Sequence, residues 1–176
     1  YGSLTLPDRT TYVGQFKDDE YHGYGCLEIP TGKTIRKYEG EFKNGLPNGK
    51  GKMTNNNGAV AEGTFLNGNM HGNIKLVVSE TFGFTTFEGE YSDGAKVKGT
   101  FNYYNGNSYT GEFRYDDTKG DLQHGKGKYI DSTNNVVYEG GYKDDLRHGY
   151  GKYSHLDGRV IYAGQWANGQ PEPKPN

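Results

Sequence analysis

Tyr38-Glu39-Gly40-Glu41-Phe42-Lys43-Asn44-Gly45-Leu46-Pro47-Asn48-Gly49-Lys50-Gly51-Lys52-Met53 is the stretch that decides the fold. Two short alternating segments flank Asn44-Gly45, a pair suited to tight hairpin turns. Pairing the repeat about the polar turn that contains these two residues sets Tyr38 opposite Met53, Glu39 opposite Lys52, Gly40 opposite Gly51, Glu41 opposite Lys50 and Phe42 opposite Gly49. Strand side chains alternate between faces. One face then carries Tyr38, Phe42, Met53 and three glycines, and the other carries Glu39, Glu41, Lys50 and Lys52. The glycines offer the rings a flat backbone to lie on, so aromatic area can be buried without a second layer of structure.

The same unit recurs along the chain, as the search for internal periods requires. Aromatic-x-Gly-x-aromatic stands at Tyr12/Gly14/Phe16, Tyr38/Gly40/Phe42, Phe87/Gly89/Tyr91, Tyr109/Gly111/Phe113, Tyr138/Gly140/Tyr142 and Tyr162/Gly164/Trp166, with a degenerate copy at Ala61/Gly63/Phe65. Successive central glycines are 22 to 29 residues apart. A second unit, Gly-x-Gly-x-apolar, follows at Gly23-Tyr-Gly25-Cys-Leu27, Gly49-Lys-Gly51-Lys-Met53, Gly125-Lys-Gly127-Lys-Tyr129 and Gly149-Tyr-Gly151-Lys-Tyr153. The sixth copy is expected to share the register, with Glu139 opposite Lys152, Gly140 opposite Gly151 and Tyr142 opposite Gly149. Tyr1-Gly2-Ser3-Leu4 matches the end of a second strand, so the chain is expected to begin as a fragment, inside a partial repeat over residues 1–9.

Composition agrees with an unusual core. Of 176 residues 29 are Gly, 16 are Tyr and 8 are Phe. Leu, Ile, Val and Phe together make up only about 17%, a level that on its own suggests disorder. The aromatics and the formal net charge of -2 oppose that reading. The near-neutral balance also argues against general nucleic-acid binding, which needs a basic excess. Cys26 is the single cysteine, so no intrachain disulfide and no multi-cysteine zinc site can form, and a reducing compartment fits. No window approaches the roughly 18 apolar residues of a membrane span, and the N-terminus carries no apolar signal segment.

These units resemble MORN (membrane occupation and recognition nexus) repeats. Tyr-x-Gly-x-aromatic followed by His-Gly-x-Gly stands here as Tyr12/Gly14/Phe16/His22/Gly23/Gly25 and Tyr138/Gly140/Tyr142/His148/Gly149/Gly151. The likeness covers about residues 10 to 170, with starts near 12, 38, 61, 87, 109, 138 and 162. Three places depart from it. The third repeat has Ala61 and Ile74 where an aromatic and a glycine belong, the fourth reads Lys98-Gly99-Thr100-Phe101, and the fifth inserts about five residues around Tyr115 to Lys119. The expected fold is all-β: an elongated, curved, single-layered antiparallel sheet of tandem hairpins over 1–170, about 70 Å long at about 9.5 Å per hairpin. Residues 171–176, with Pro171, Pro173 and Pro175, read as a cap or linker that stops edge pairing.

Catalytic and metal readings fail on the residues. His22, His71, His124 and His148 share one phase, but equivalent residues of neighbouring hairpins should lie roughly 9 to 10 Å apart, too far for one zinc. Gly120-Asp-Leu-Gln-His-Gly125-Lys126-Gly127 has Gly127 where a phosphate loop needs Ser or Thr, and Gly32-Lys33-Thr34 lacks the first glycine. No His and acid relay is readable around Cys26, which should face Val13. Glu39-Lys52, Glu62-Lys75 and Glu139-Lys152 are expected as surface charge pairs worth at most about 1 kcal/mol each. No enzyme and no cofactor is expected.

An exposed apolar strip marks an interaction site. The expected groove is made from Tyr38, Phe42, Tyr109, Phe113, Tyr138, Tyr142, Tyr162 and Trp166, against the alternative that these rings only pack on the glycines. The resemblance implies a non-catalytic scaffold that docks a protein partner segment, extended or helical, in a cytoskeletal, ciliary or membrane-associated assembly, with a cytoplasmic address. Two alternatives stand beside it. One is the targeting or regulatory arm of a larger lipid kinase or lysine methyltransferase. The other is weak anionic-lipid contact through Lys50, Lys52, Lys75, Lys126, Lys128 and Lys152, offset by interleaved glutamates. Self-association through the strand that Tyr1 opens is a further expectation.

Overall fold

A computed structural model describes residues 1–32, 34–80 and 83–173. Fifteen strands form one open antiparallel sheet in strict sequence order. They are β1 (Gly2–Thr5), β2 (Thr11–Lys17), β3 (Glu20–Thr31), β4 (Thr34–Lys43), β5 (Leu46–Thr54), β6 (Val60–Leu66), β7 (Asn69–Glu80), β8 (Gly83–Ser92), β9 (Ala95–Asn102), β10 (Ser108–Asp116), β11 (Gly120–Asp131), β12 (Val136–Lys143), β13 (Leu146–His155), β14 (Val160–Ala167) and β15 (Gln170–Pro171). No helix occurs among the described residues, and so none is long and apolar enough to cross a membrane. The all-β hairpin fold expected from the period is the observed one. The chain divides into two compact units, Tyr1–Thr81 with Glu90–Gly94 and Phe82–Gly89 with Ala95–Asn176, each with its own aromatic core.

The glycine ladder sets the register. Gly2 opposes Gly14, Gly14 opposes Gly25, Gly25 opposes Gly40 and Gly40 opposes Gly51 in the first unit. In the second, Gly111 opposes Gly99 and Gly127, Gly127 opposes Gly140, and Gly151 opposes Gly140 and Gly164. Each ladder supports the ring two residues before it. A Cβ on Gly25 would stand 2.6 Å from the Tyr12 ring, and one on Gly151 would stand 2.5 Å from Tyr138 Cζ, so only hydrogen fits there.

Beyond the ladder, the simple hairpin pairing needs correction. Glu41 does not oppose Lys50, nor Phe42 Gly49, nor Tyr142 Gly149. The register shifts after Gly40, so that Phe42 faces Pro47, and after Gly140, so that Tyr142 faces Arg147. Asn48, Gly49 and Lys50 therefore stand against Glu41 alone, a β-bulge that re-aims the strand. Gly49 takes φ 113° at this point and Gly23, Gly125 and Gly149 take 60° to 67°, a left-handed region open to glycine at little cost. The displaced glycines serve the following repeat instead: Gly49 opposes Phe65 and Gly149 opposes Trp166.

The bulge has its own hydrogen bonds. The first tyrosine of a repeat donates its hydroxyl to the backbone carbonyl three residues on: Tyr12 to Gln15 (2.8 Å), Tyr38 to Glu41 (3.1 Å), Tyr109 to Glu112 (3.0 Å), Tyr138 to Gly141 (2.9 Å) and Tyr162 to Gln165 (3.0 Å). Side chains at that position accept from the bulged strand, Gln15 Oε1 from Tyr24 N–H at 2.8 Å and Glu41 Oε1 from Lys50 N–H at 3.2 Å. Glu41 thus caps backbone rather than pairing with a lysine ammonium. Successive hairpins are tied by turn N–H groups, as Gly45 N to Tyr21 O, Gly94 N to Met70 O and Gly169 N to Arg147 O.

The irregular repeats are compensated locally. Where Ala61 removes a ring, Ile74 replaces the opposing glycine, is 2% exposed, and brings its Cδ1 to 2.8 Å from where a Cβ on Gly63 would stand. Ile74 fills from the second strand the volume a ring fills elsewhere. In the fifth repeat the insertion is a turn closed by Asp116, whose Oδ1 accepts from Thr118 N (3.0 Å), Lys119 N (3.1 Å) and Thr118 Oγ1 (2.6 Å). At the C-terminal end Pro171 opposes Trp166, and the Glu172 N–H donates to the Gln165 carbonyl at 2.8 Å. Pro175 lies outside the described residues.

Candidate interaction surface

Six of the eight ring positions expected to form a groove are buried. Tyr38, Phe42, Tyr109, Tyr138, Tyr142 and Trp166 are each no more than 6% exposed, whereas Phe113 and Tyr162 are half-buried. The buried rings pack edge to face in a continuous chain within each unit. In the first, Tyr12 meets Phe42 at 5.1 Å, and Tyr38 meets Phe42 at 5.1 Å and Phe65 at 5.0 Å. In the second, Tyr109 meets Phe113 (5.3 Å) and Tyr142 (5.2 Å), Tyr138 meets Tyr142 (5.3 Å) and Trp166 (5.0 Å), and Tyr162 meets Trp166 (5.4 Å). Tyr12, Tyr38, Tyr109 and Tyr138 are each therefore clasped by the second rings of their own and the next repeat, in the perpendicular geometry that ring quadrupoles favour. Burial pushes the Tyr38 hydroxyl up to about 12 and raises those of Tyr109 and Tyr142 as well. These rings form a floor.

Above the floor stands a row that the sequence reading missed. The residue opposite the second ring is Tyr21, Pro47, Met70, Gln123, Arg147 and Pro171 in the β2–β3, β4–β5, β6–β7, β10–β11, β12–β13 and β14–β15 hairpins. Tyr21 stacks on Tyr12 at 3.9 Å and 13°. Arg147 lies 4.9 Å from the Tyr138 and Tyr153 ring centres and 5.1 Å from that of Trp166. Lys96 takes the same place over Phe87 and Phe101, at 5.5 Å from each. The signal was available: outside the repeat with the insertion, this residue is the fifth after the second ring. Its identity varies, so no motif marks it.

The opposite face is charged and open. Glu39 opposes Lys52, Glu62 opposes Lys75 and Glu139 opposes Lys152, as expected. Glu39, however, pairs with Lys37 on its own strand at 3.3 Å, and among the described residues Lys52 and Lys152 make no ion pair. Two troughs of about 530 and 510 Å³ lie here at equivalent places. The first is lined by Lys50, Lys52, Glu39, Glu62 and Tyr24, and the second by Lys126, Lys128, Glu139, His148 and Tyr150. Tyr24 and Tyr150 are 63% and 67% exposed.

The histidines do not converge. His124 Nδ1 lies 3.2 Å from Asp144, whose carboxylate also accepts from Arg114 Nε at 2.5 Å and is held below its usual range chiefly by that bond. Among the described residues no group of three or more His, Cys, Asp or Glu could hold a metal ion. Gly127 precedes Lys128 within β11, so the phosphate-loop-like stretch is strand, and Lys33 lies outside the described residues. Cys26 opposes Val13, and burial raises its thiol.

With this geometry in place, comparison with known families is direct. The model described as MORN repeat matches residues 12–34, 38–60, 62–73, 87–108, 119–136, 138–158 and 162–172. The seven segments match the seven repeats in number; six begin within one residue of the starts read from the aromatic-Gly pattern, and the fifth begins at 119, ten residues after Tyr109. No curated protein matches the chain.

Proposed function

Because the chain belongs to the MORN repeat family, whose repeats are in general protein or lipid interaction modules, we propose that it is a non-catalytic scaffold that docks a partner protein segment along its aromatic face. The supporting observation is the layering. A single sheet carries no second layer among the described residues, so the ring floor is covered only by half-buried residues such as Tyr21, Phe113, Tyr129, Tyr153 and Tyr162. Tyr38, Phe42, Tyr109, Tyr138, Tyr142 and Trp166 hold that surface rigid from beneath, and Phe113 and Tyr162 meet the partner directly. The partner belongs to a cytoskeletal, ciliary or membrane-associated assembly of the cytoplasm. A pre-formed surface of this kind spares the ordering cost of binding.

The test is selection of a ligand from a random peptide display library on the intact chain, followed by hydroxyl-radical footprinting of the complex. Protection of Tyr21, Tyr129 and Tyr153 supports the reading; protection confined to Tyr24 and Tyr150 on the charged face overturns it, as does failure to select any ligand. One observation favours a second reading, anionic-lipid contact by the charged face. Lys50, Lys52, Lys126, Lys128 and Lys152 are exposed and make no ion pair among the described residues, and each basic group near an anionic surface contributes about 1 kcal/mol. Co-sedimentation with phosphatidylserine vesicles but not phosphatidylcholine vesicles would support it.

A further inference from the structure

We propose that Arg147 anchors the partner by binding a carboxylate, so that the docked segment carries an Asp or Glu side chain flanked by apolar residues; this refines, and rests on, the docking reading above. The guanidinium is fixed before any partner arrives. Its carbon stands 4.9 Å from two ring centres and 5.1 Å from a third, within the roughly 6 Å over which cation–π attraction acts. Arg147 is half-buried, and among the described residues it makes neither an ion pair nor a side-chain hydrogen bond. Five N–H donors in a planar fork are thus held in place without an acceptor, the geometry that accepts a carboxylate bidentately.

Comparable cations in the second unit are neutralised internally. Lys96, likewise the fifth residue after the second ring of its repeat, has Asp121 Oδ2 at 2.7 Å on its ammonium and Asp121 Oδ1 at 3.0 Å on its backbone N–H. Arg114 has Asp144 at 2.5 Å, and Arg159 has Asp157 at 2.9 Å. Arg147 makes no such ion pair among the described residues: Asp131 feels the guanidinium but gives both carboxylate oxygens to Asn134, accepting from its N–H at 3.0 Å and its side-chain amide at 2.8 Å.

The surroundings select the class of partner. Arg147 stands two residues after Asp144-Asp145, beyond Leu146, and the preceding hairpin turn carries Asp116-Asp117. Arg114 answers Asp144 and Asp116, which leaves Asp145 and Asp117 on these turns, with Asp131 nearby, to repel an extended anionic surface such as a membrane or nucleic acid, while one carboxylate on a peptide can enter between ring faces. The half-buried Tyr129, Tyr153 and Tyr162 supply apolar area for its flanking residues.

The experiment uses peptides selected by display on the intact chain. Expected are ligands with an Asp or Glu at one fixed position between apolar residues. Changing that residue to Asn or Gln in the peptide should weaken binding to the unaltered chain by about ten- to a hundredfold in fluorescence anisotropy. This arm needs no protein variant. In parallel, Arg147→Gln should lose the same factor and no longer distinguish the acidic peptide from its amide, while Arg147→Lys keeps charge without the fork and falls between. Trp166 fluorescence and circular dichroism check that each variant is folded. Selected ligands without a fixed acid, or an unchanged affinity for the amide peptide, overturn the carboxylate anchor and leave the docking reading standing. Failure to select any ligand removes both. Loss of phosphatidylserine vesicle binding in Arg147→Gln with unchanged peptide binding also overturns it.

Discussion

Gly151→Ala places a methyl group where Tyr138 already is. The Cβ would stand 2.5 Å from Tyr138 Cζ, and the backbone on the far side is held by the pairing of Gly151 with both Gly140 and Gly164. Overpacking of this kind costs about 1–3 kcal/mol. If the ring tilts away, its hydrogen bond to the Gly141 carbonyl is lost as well, a further 0.5–1.5 kcal/mol or about that. Against this, replacing glycine by alanine at an ordinary backbone conformation stabilises by about 0.4–1 kcal/mol through the unfolded chain. The net expectation is a loss of about 1–3 kcal/mol. The assay is urea unfolding followed by the fluorescence of Trp166, the single tryptophan, which is 4% exposed in the same cluster and donates to the Gly151 carbonyl at 3.2 Å. The clash is isolated by a cycle with Tyr138→Leu, which removes the ring's far end. In that background Gly151→Ala should be neutral or stabilising, giving a coupling of about 2 kcal/mol. Additivity of the two changes within about 0.5 kcal/mol would refute the idea that the ladder glycines exist to seat the rings.

Three further outcomes are expected. Ala61→Tyr and Ile74→Gly should each destabilise by about 1–3 kcal/mol, one by overpacking and one by leaving a void, yet together restore most of the loss, since the pair recreates the regular ring-on-glycine repeat; calorimetry on the four variants checks this. Glu41→Ala should cost about 0.5–1.5 kcal/mol by freeing the Lys50 N–H, with Glu41→Gln nearly neutral, because the task is to accept from backbone and not to carry charge. The folded-state raising of the buried tyrosines gives a defined pH dependence. Their neutral form is favoured in the fold, so the stability they contribute is complete below the ordinary value of 10 and is lost as pH rises through it, up to about 12 for Tyr38. Absorbance at the phenolate band should therefore show Tyr12, Tyr38, Tyr109, Tyr138 and Tyr142 ionising together with the unfolding transition, and gradual ionisation without unfolding would count against their burial.

Strand order, repeat starts and the glycine ladder were legible because they depend only on period and alternation. Gly40 opposite Gly51 and Tyr38 opposite Met53 follow from aligning the aromatic-Gly unit with the Gly-x-Gly unit across the turn. The bulge was not, because that alignment assumes arms of equal length, whereas three residues, 41–43, lie between Gly40 and the Asn44-Gly45 turn and five, 46–50, lie between the turn and Gly51. That mismatch, with a glycine at each bulge, was the signal. Depth was illegible for a different reason. Alternation assigns Phe42 and Tyr142 to a face, but their burial depends on rings contributed by the neighbouring hairpin, Tyr12 over Phe42 and Tyr109 over Tyr142. Face is a property of one strand; depth is a property of two repeats.

This division between floor and cover has a consequence for how such a chain can acquire a partner. The ladder glycines, the first ring and the bulge glycine are mutually dependent: a methyl on Gly25 strikes Tyr12, and Tyr12 in turn bonds the carbonyl of Gln15 within the bulge. Changing one of them alone costs stability. The position opposite the second ring is held by no comparable constraint, since it is met by Tyr21, Pro47, Met70, Gln123 and Arg147 in the same backbone setting. A stacked ring, a proline, a thioether, an amide and a guanidinium are all compatible with the sheet. Chemistry displayed on the aromatic face can therefore change from hairpin to hairpin while the surface beneath keeps its geometry, and a segment lying across several hairpins would read these positions in order. The cation at Arg147, seated on three rings and making no ion pair among the described residues, is the place where that variable row departs furthest from simple packing.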